Sequence, residues 1–325
     1  MAGRLHIVIP EGAEFVQRPE HLDPLRKLGE VVIKSGGPRD KVDFIERCRD
    51  ADVVVLDYSM MDAEVLAALP KLRMVAFLGI GYKSCIDEDA ATARGIVITN
   101  TPDYGATSVA EHALALLLAL CRHVAPASAS LGSGKWEPGR FQGMELRGKT
   151  LGLVGLGPIG QEMARLGAGI GMRLIGWTRR ATPDRAQHGL TLVPLEEVFS
   201  GSDAVSLHLS YRPETEGLVS RALLSRMRPE AYLINTARAR IVDTGALVDV
   251  LKAKRIAGAA LDVFEDEPLP PDNPYRSLPN CLITPHIGYN TREASHNMLK
   301  IAMATVEAWA RGEALHVVNP AALKR

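Results

Sequence analysis

Residues 150–178 read TLGLVGLGPIGQEMARLGAGIGMRLIGWT. A short apolar strand over Leu151–Val154 runs straight into GLGPIG, Gly155–Gly160. A helix over Ile159–Ala168 opens inside that loop, and a second strand follows at Arg173–Trp177. G-x-G-x-x-G carries weight only when strand, loop, helix and strand fall within about 30 residues, as they do here. Gly155 permits the tight turn, Gly157 lets the backbone approach a pyrophosphate, and Gly160 lets the helix lie close on the strand. Pro158 suits a first helical turn, where its missing N–H is no loss, and the amides at Ile159 and beyond are then free for an anion. The competing reading is a glycine-rich turn with no ligand.

Outward from this unit the same alternation recurs on both sides. LHIVIP, EVVIKSG, ADVVVLD, LRMVAFLG and GIVITNT read as strands before it, with helical patterns near Leu22–Leu28, Lys41–Arg49, Ala63–Leu69 and Glu88–Arg94. After it come DAVSLHL, AYLINTA, GAALDVF and CLITPH, again with helices between. Strands alternating with helices predict α/β architecture, a parallel sheet covered on both faces, and two such units are expected. Ser108–Arg122 is a long helix, apolar nearly all round after Glu111 and His112, and is expected to be buried. Pro126–Gly148 shows little periodicity and is expected to be an arm or connection. The last helix, Thr291–Arg311, comes after the second sheet is complete and is expected to return to the first unit.

A chain of 325 residues with 46% hydrophobic and 23% charged residues is an ordinary globular composition, long enough for two cores. Lys plus Arg and Asp plus Glu stand at 38 each, without like-charge runs, which argues against nucleic acid and anionic membrane as partners. The four cysteines, Cys48, Cys85, Cys121 and Cys281, are far apart, with no His cluster near them, so neither a metal site nor a disulfide framework is expected. The greasiest stretch, Ala113–Cys121, is far short of the about 20 residues a membrane span needs. A cytoplasmic protein is expected.

The candidate chemistry lies at strand ends, where open parallel sheets bind ligands. After Trp177 a NAD-binder usually carries an acid for the ribose hydroxyls, about 20 residues past the glycines. Here Thr178, Arg179 and Arg180 stand instead, so the acid is missing and two cations are available to a 2′-phosphate. Solvated surface arginines are the competing reading. Three later strand ends carry unlike polar groups: Arg238 in NTARAR, Glu267 in DVFEDEP and His286 in TPHIG. His286 is the side chain able to give or take a proton near neutral pH, Glu267 could orient it, and Arg238 could grip a carboxylate through its planar fork. Each alone reads more simply as a structural residue; together with the cofactor loop they predict a dehydrogenase of small 2-hydroxy acids.

The ordered series GIGYKSCID, SVAEHALALLLAL, GLGPIG, NTARARIVD, ALDVFEDEP and TPHIG, from about Ala51 to about Thr291, resembles the D-isomer-specific 2-hydroxyacid dehydrogenase family. The resemblance implies two Rossmann-like domains, with the dinucleotide-binding domain (101–290) inserted into the substrate domain (1–100 and 291–325). It implies Arg238 as the substrate-binding arginine, Glu267 as the partner of the histidine, and His286 as acid and base. It further implies a cofactor lined by Thr236, Ala237, Asp262 and Gly288 as well as the glycine loop, and a substrate carboxylate met by the Gly79, Ile80 and Gly81 loop. NADP(H) is favoured and NAD(H) is possible. The partner is a small 2-hydroxy or 2-oxo acid, and a homodimer is expected, with Pro126–Gly148 reaching across.

Departures from the family pattern bear on the substrate. Ala239 replaces the glycine that usually follows the arginine, so that turn must avoid positive φ or accept strain. Lys83 and Ser84 stand where an Asp-Asn pair is frequent, and Gly105 where some relatives carry Asn. With no regulatory domain expected after Arg325, a short phosphoglycerate dehydrogenase stays open and a long allosteric one does not. A dinucleotide-sensing corepressor is the reading from another class, and phosphite oxidation a second enzymatic one.

Overall fold

The computed structural model describes residues 4–12, 16 and 19–324. The chain divides into two compact units, Met1–Gly105 with Asn290–Arg325, and Ala106–Tyr289.

In the first unit the order is β1 (Leu5–Ile9), α1 (Asp23–Leu28), β2 (Gly29–Ile33), α2 (Lys41–Cys48), β3 (Val53–Leu56), α3 (Ala63–Ala68), β4 (Met74–Phe77), α4 (Glu88–Ala93) and β5 (Val97–Thr99). The strands make one parallel sheet in the order β2-β1-β3-β4-β5. Successive residues face opposite sides. Val8, Val54 and Val75 join one core, while Ile7, Ile9, Val53, Val55, Met74 and Ala76 join the other. Burial on both faces is why these strands read as unbroken apolar runs. Three helices start on aspartate: Asp40, Asp62 and Asp87 accept from the amides of Asp43, Val65 and Ala90, caps worth about 1 kcal/mol each.

The second unit opens with α5 (Ala106–Cys121) and α6 (Val124–Gly132), followed by β6 (Thr150–Val154), α7 (Pro158–Gly169), β7 (Arg173–Trp177), β8 (Thr191–Leu192), α8 (Leu195–Gly201), β9 (Ala204–Leu207), α9 (Arg221–Leu224), β10 (Tyr232–Asn235), α10 (Thr244–Lys252), β11 (Gly258–Leu261) and β12 (Cys281–Ile283). Its seven strands are parallel, in the order β12-β11-β10-β9-β6-β7-β8. Chain direction around the sheet reverses at β6, whose neighbours β7 and β9 carry the chain to opposite sides, so the crevice outside the ends of β6 and β9 is the ligand position of such sheets. α5 lies on α7, β10 and β11, burying Ala110, Ala113, Leu116 and Leu117. Its outer face, with Glu111 and Leu118, stays exposed, so it is covered on one side rather than all round.

The stretch expected to be an arm contains a helix. α6 runs through Pro126, which stands in its first turn and so removes no needed donor, and none of its residues is buried. Its small Ala, Ser and Gly residues leave no apolar period to read. β8, a two-residue edge strand, was likewise not visible as an alternation.

The chain then returns to the first unit as α11 (Arg292–Ala310), capped by the Thr291 hydroxyl at the Ala294 amide. Met298, Leu299, Ala302, Met303 and Val306 cover the face of the first sheet that holds Ile7 and Val55. Each large apolar side chain buried this way contributes about 1.5–3 kcal/mol. Among the described residues no single helix is long and apolar enough to cross a membrane.

Candidate active site

The glycine loop is built as its residues require. Gly155 has φ +99°, and a Cβ there would lie 2.7 Å from the His208 carbonyl oxygen; a Cβ on Gly160 would lie 2.0 Å from the Gly155 oxygen. These two glycines are needed by the fold itself. Gly157 is different: it caps α7, and a Cβ there would meet nothing within 4 Å. The first intrahelical donor is the Gln161 amide, to Gly157 oxygen at 2.9 Å, which leaves the amides of Ile159 and Gly160 without a partner among the described residues, at the positive end of the helix. An open cradle over Gly157, two free amides and, at the end of β10, a buried Thr236 hydroxyl with no partner together fit a dinucleotide pyrophosphate and its neighbouring groups.

At the end of β7 Thr178 is half-buried, and Arg179 and Arg180 are exposed. No hydrogen bond or ion pair among the described residues holds either arginine. A third one was missed in the sequence: Arg185 donates through Nη1 to the Leu156 carbonyl at 2.8 Å, and its own carbonyl accepts from Gln161 Nε2 at 3.0 Å. It ties the segment after β7 to the glycine loop. Its signal would have been a guanidinium two turns of chain beyond the strand end, which periodicity does not distinguish from surface charge.

Arg238 follows β10 on a turn set by Asn235, another residue the sequence reading passed over. The Asn235 side chain, 2% exposed, accepts from the Ala237 amide at 3.0 Å and donates to the Arg238 carbonyl at 3.1 Å. A buried amide must find partners, and here it shapes the loop that presents the arginine. Ala239 opens a short 3₁₀ turn and is not among the residues with positive φ, so the missing glycine causes no strain.

His286 stands after β12 at φ +53°, a left-handed conformation uncommon for residues other than glycine. Its Nδ1 lies 2.7 Å from Glu267 Oε2, while Glu267 Oε1 accepts from the Phe264 amide at 2.8 Å. Burial pushes the Glu267 carboxyl up, but the bonds from His286 and the Phe264 amide, with the nearby charge of Arg238, hold it below the usual carboxylate range. An ionised carboxylate can only accept, so Nδ1 carries the proton and Nε2 is the nitrogen left to exchange one. Behind this pair, buried Asp262 accepts from Thr284 Oγ1 at 2.6 Å and from the amides of Ile287 and Gly288 at 3.0 and 2.8 Å. A Cβ on Gly288 would come within 3.0 Å of Asp262 Oδ2.

In the first unit the Gly79 amide donates to Thr101 Oγ1 at 2.8 Å, so this residue's N–H is engaged. The amides of Ile80 and Gly81 make no hydrogen bond among the described residues. Lys83 is paired with Glu88 at 3.0 Å. Within the second unit, then, the imidazole of His286 with its carboxylate partner, the Arg238 guanidinium and the open glycine loop all follow strands of one sheet.

Residues 114–288 match the family described as D-isomer specific 2-hydroxyacid dehydrogenase, NAD binding domain, a segment that lies inside the second unit. The chain is 39% identical over 295 residues to D-3-phosphoglycerate dehydrogenase of Archaeoglobus fulgidus, covering 90% of this chain and 56% of that protein, so it spans little more than half of that relative's length. It is 42% identical over 285 residues to glyoxylate reductase of Pyrococcus furiosus, covering 85% of this chain and 84% of that one. The crystal structure of the NADPH-dependent glyoxylate/hydroxypyruvate reductase of Sinorhizobium meliloti, in complex with citrate, is similar with a TM-score of 0.83 at 32% identity, covering 98% of this chain and 99% of that one.

Proposed function

The chain belongs to the D-isomer specific 2-hydroxyacid dehydrogenase family, and on that premise we propose that it reduces a small 2-oxo acid to the 2-hydroxy acid with NADPH, and catalyses the reverse oxidation. The observation that carries this reading is the 2.7 Å pairing of His286 with Glu267, on the sheet that also bears Arg238 and the glycine loop.

The residues divide the work as follows. Arg238 grips the substrate carboxylate with two parallel N–H donors, leaving the 2-oxo group to His286. His286 Nε2–H gives its proton to the carbonyl oxygen as C2 receives a hydride, so C=O becomes CH–OH and the imidazolium becomes neutral. Glu267 stays ionised throughout, balancing the imidazolium and holding the tautomer with Nδ1 protonated. When bound, the nicotinamide supplies or accepts that hydride. Gly155, Gly157, Pro158, Ile159 and Gly160 cradle its pyrophosphate, and Thr236, Ala237, Asp262 and Gly288 line the nicotinamide side. In the first unit the amides of Ile80 and Gly81, which make no hydrogen bond among the described residues, are available to an anion. Thr178 with Arg179 and Arg180 favours NADPH over NADH, in keeping with the NADPH dependence of the Sinorhizobium meliloti reductase. The proposal extends to a cytoplasmic homodimer: Val124, Leu131 and Trp136, exposed by 55%, 57% and 81%, are apolar surface on and after α6 that a second copy would cover.

The test is loss of absorbance at the nicotinamide band with glyoxylate, hydroxypyruvate, pyruvate and phenylpyruvate in turn, with phosphohydroxypyruvate as the arm for a short phosphoglycerate dehydrogenase. Turnover of at least one acid is expected. Cofactor binding without turnover of any of them would contradict the proposal and favour a dinucleotide sensor.

A further inference from the structure

His286 holds a left-handed conformation, φ +53°, and the turn around it is tied down by specific partners. Two carboxylates bond to this turn. Glu267 fixes the ring, and Asp262 fixes the backbone that follows by accepting from both the Ile287 and Gly288 amides. Asp262 is 1% exposed, so its charge must itself be met by donors. One of them comes from a distant part of the chain: His112, in the second turn of α5, places Nε2 3.4 Å from Asp262 Oδ1 and 3.1 Å from Thr284 Oγ1. The Thr284 hydroxyl spends its proton on Asp262 at 2.6 Å, so it offers His112 only a lone pair. Both neighbours of Nε2 are therefore acceptors, and Nε2 carries the proton. The ring also lies against the backbone of the turn, since a Cβ on Gly288 would come 3.4 Å from His112 Cδ2.

From this geometry we infer that His112 is a positioning residue for His286, acting through Asp262: its Nε2–H, directed at the Asp262–Thr284 pair, keeps the carboxylate ionised and so holds the turn that aims the catalytic imidazole. The inference rests on the reading of His286 as the acid and base. Among the described residues His112 is the titratable side chain that meets Asp262; the other partners, Thr284 and two amides, do not titrate. Burial pushes the Asp262 carboxyl up, and the bonds from His112, Thr284 and the two amides outweigh it, holding the group below the ordinary range. Loss of the His112 donor removes part of that opposition. Asp262 then protonates at higher pH, its oxygens become weaker acceptors, and the turn loosens on the acid side.

The experiment compares His112→Ala with His112→Gln, whose Nε2 is a neutral donor of similar reach; His112→Met, which fills the space without a donor, replaces Ala if that variant does not fold. In the variant lacking the donor, kcat for reduction is expected to fall about tenfold, the order of one lost charge-assisted hydrogen bond, with cofactor Kd within about twofold. Its kcat profile gains a new acid limb, amide exchange at Ile287 and Gly288 accelerates about tenfold, and Gln restores most of each effect. Unchanged exchange at those two amides in a folded variant overturns the inference. Faster exchange with unchanged kcat likewise overturns the positioning role, while the reading of His286 as acid and base is tested separately by His286→Ala.

Discussion

Glu267 and His286 are 19 residues apart in the chain and 2.7 Å apart through Oε2 and Nδ1. The ring is thereby held in one tautomer, with Nε2 left to exchange a proton, and the pair is half-exposed, with side-chain exposures of 36% and 38%. A substrate can reach it.

Replacement of Glu267 by Gln tests that pairing. The Glu267 carboxyl is held below its usual range, so the carboxylate is charged at all pH values above that range and is lost as partner only as pH falls through it. On the alkaline side the limit on reduction is loss of the imidazolium proton. Without the carboxylate the imidazolium loses its counter-charge and sheds that proton sooner. The alkaline limb of the kcat profile for reduction should therefore move to lower pH in Glu267→Gln. A superimposable profile would reduce Glu267 to a surface acid.

The glycine loop separates fold from ligand. At Gly157 the space beside the backbone is open and φ is −76°, so Gly157→Ala should fold with a Tm near that of the parent. Its methyl group would occupy the cradle, and cofactor Kd should rise about tenfold or more, about 1.4 kcal/mol of lost binding. At Gly160 a Cβ would lie 2.0 Å from the Gly155 oxygen, and overpacking against backbone costs about 1–3 kcal/mol, so Gly160→Ala should lower Tm as well. Equal Tm losses in both variants, with unaltered cofactor affinity at Gly157, would remove the cradle from the account.

Much of this loop was legible because its determinants are local: strand, glycines and helix follow one another, and the two-unit α/β fold announces itself as apolar runs separated by helical periods. Arg238, Glu267 and His286 stood out only by a shared position at strand ends; the 2.7 Å pairing of the last two was not legible. What the sequence did not display were residues whose role lies in particular hydrogen-bond or polar contacts that no periodic pattern marks. Asn235 shapes the Arg238 turn, Arg185 binds the Leu156 carbonyl, and His112 meets Asp262, yet each reads in isolation as an ordinary polar residue. α6, none of whose residues is buried, was hidden for the opposite reason, since a helix without a buried face leaves no periodic trace.

His208 gives the fold an acid limit. Its ring is bonded through Nε2 to Ser206 at 2.9 Å, Nδ1 is buried without a partner, and burial lowers its pKa from 6.5 to about 4. A depressed histidine favours the folded state fully above its unfolded value, and that contribution is lost as pH falls from 6.5 towards 4, to a total of about 3 kcal/mol. Asp57, raised to about 6 by burial and by Glu11, works in the opposite sense, because its folded form loses stability as pH climbs from 3.8 to 6. The difference between parent and His208→Gln cancels the Asp57 contribution. Denaturant unfolding at pH 7 and pH 4.5 should show the variant losing less stability on acidification; equal losses would mean that the ring is protonated without cost.

Cofactor choice follows from the end of β7. An acid at position 178 would accept bonds from the ribose hydroxyls and repel a 2′-phosphate; Thr178 does neither strongly. Allowing for the exposure of Arg179 and Arg180, the preference for NADPH over NADH in kcat/KM should be roughly 10-fold to 100-fold, and should shrink as salt is raised. Thr178→Asp should push the ratio back towards NADH. A parent enzyme that prefers NADH tenfold would mean that both guanidinium groups point away from the adenosine site.

The most direct measurement is kcat for NADPH-dependent reduction of the best 2-oxo acid by His286→Ala, with cofactor Kd determined on the same preparation. Removal of a general acid costs about 100-fold or more in kcat, and the glycine loop lies elsewhere on the sheet, so Kd should stay within about twofold of the parent. A folded His286→Ala that turns over at the parental rate would contradict the assignment of proton transfer to this residue and, with it, the proposed reduction of 2-oxo acids at this site.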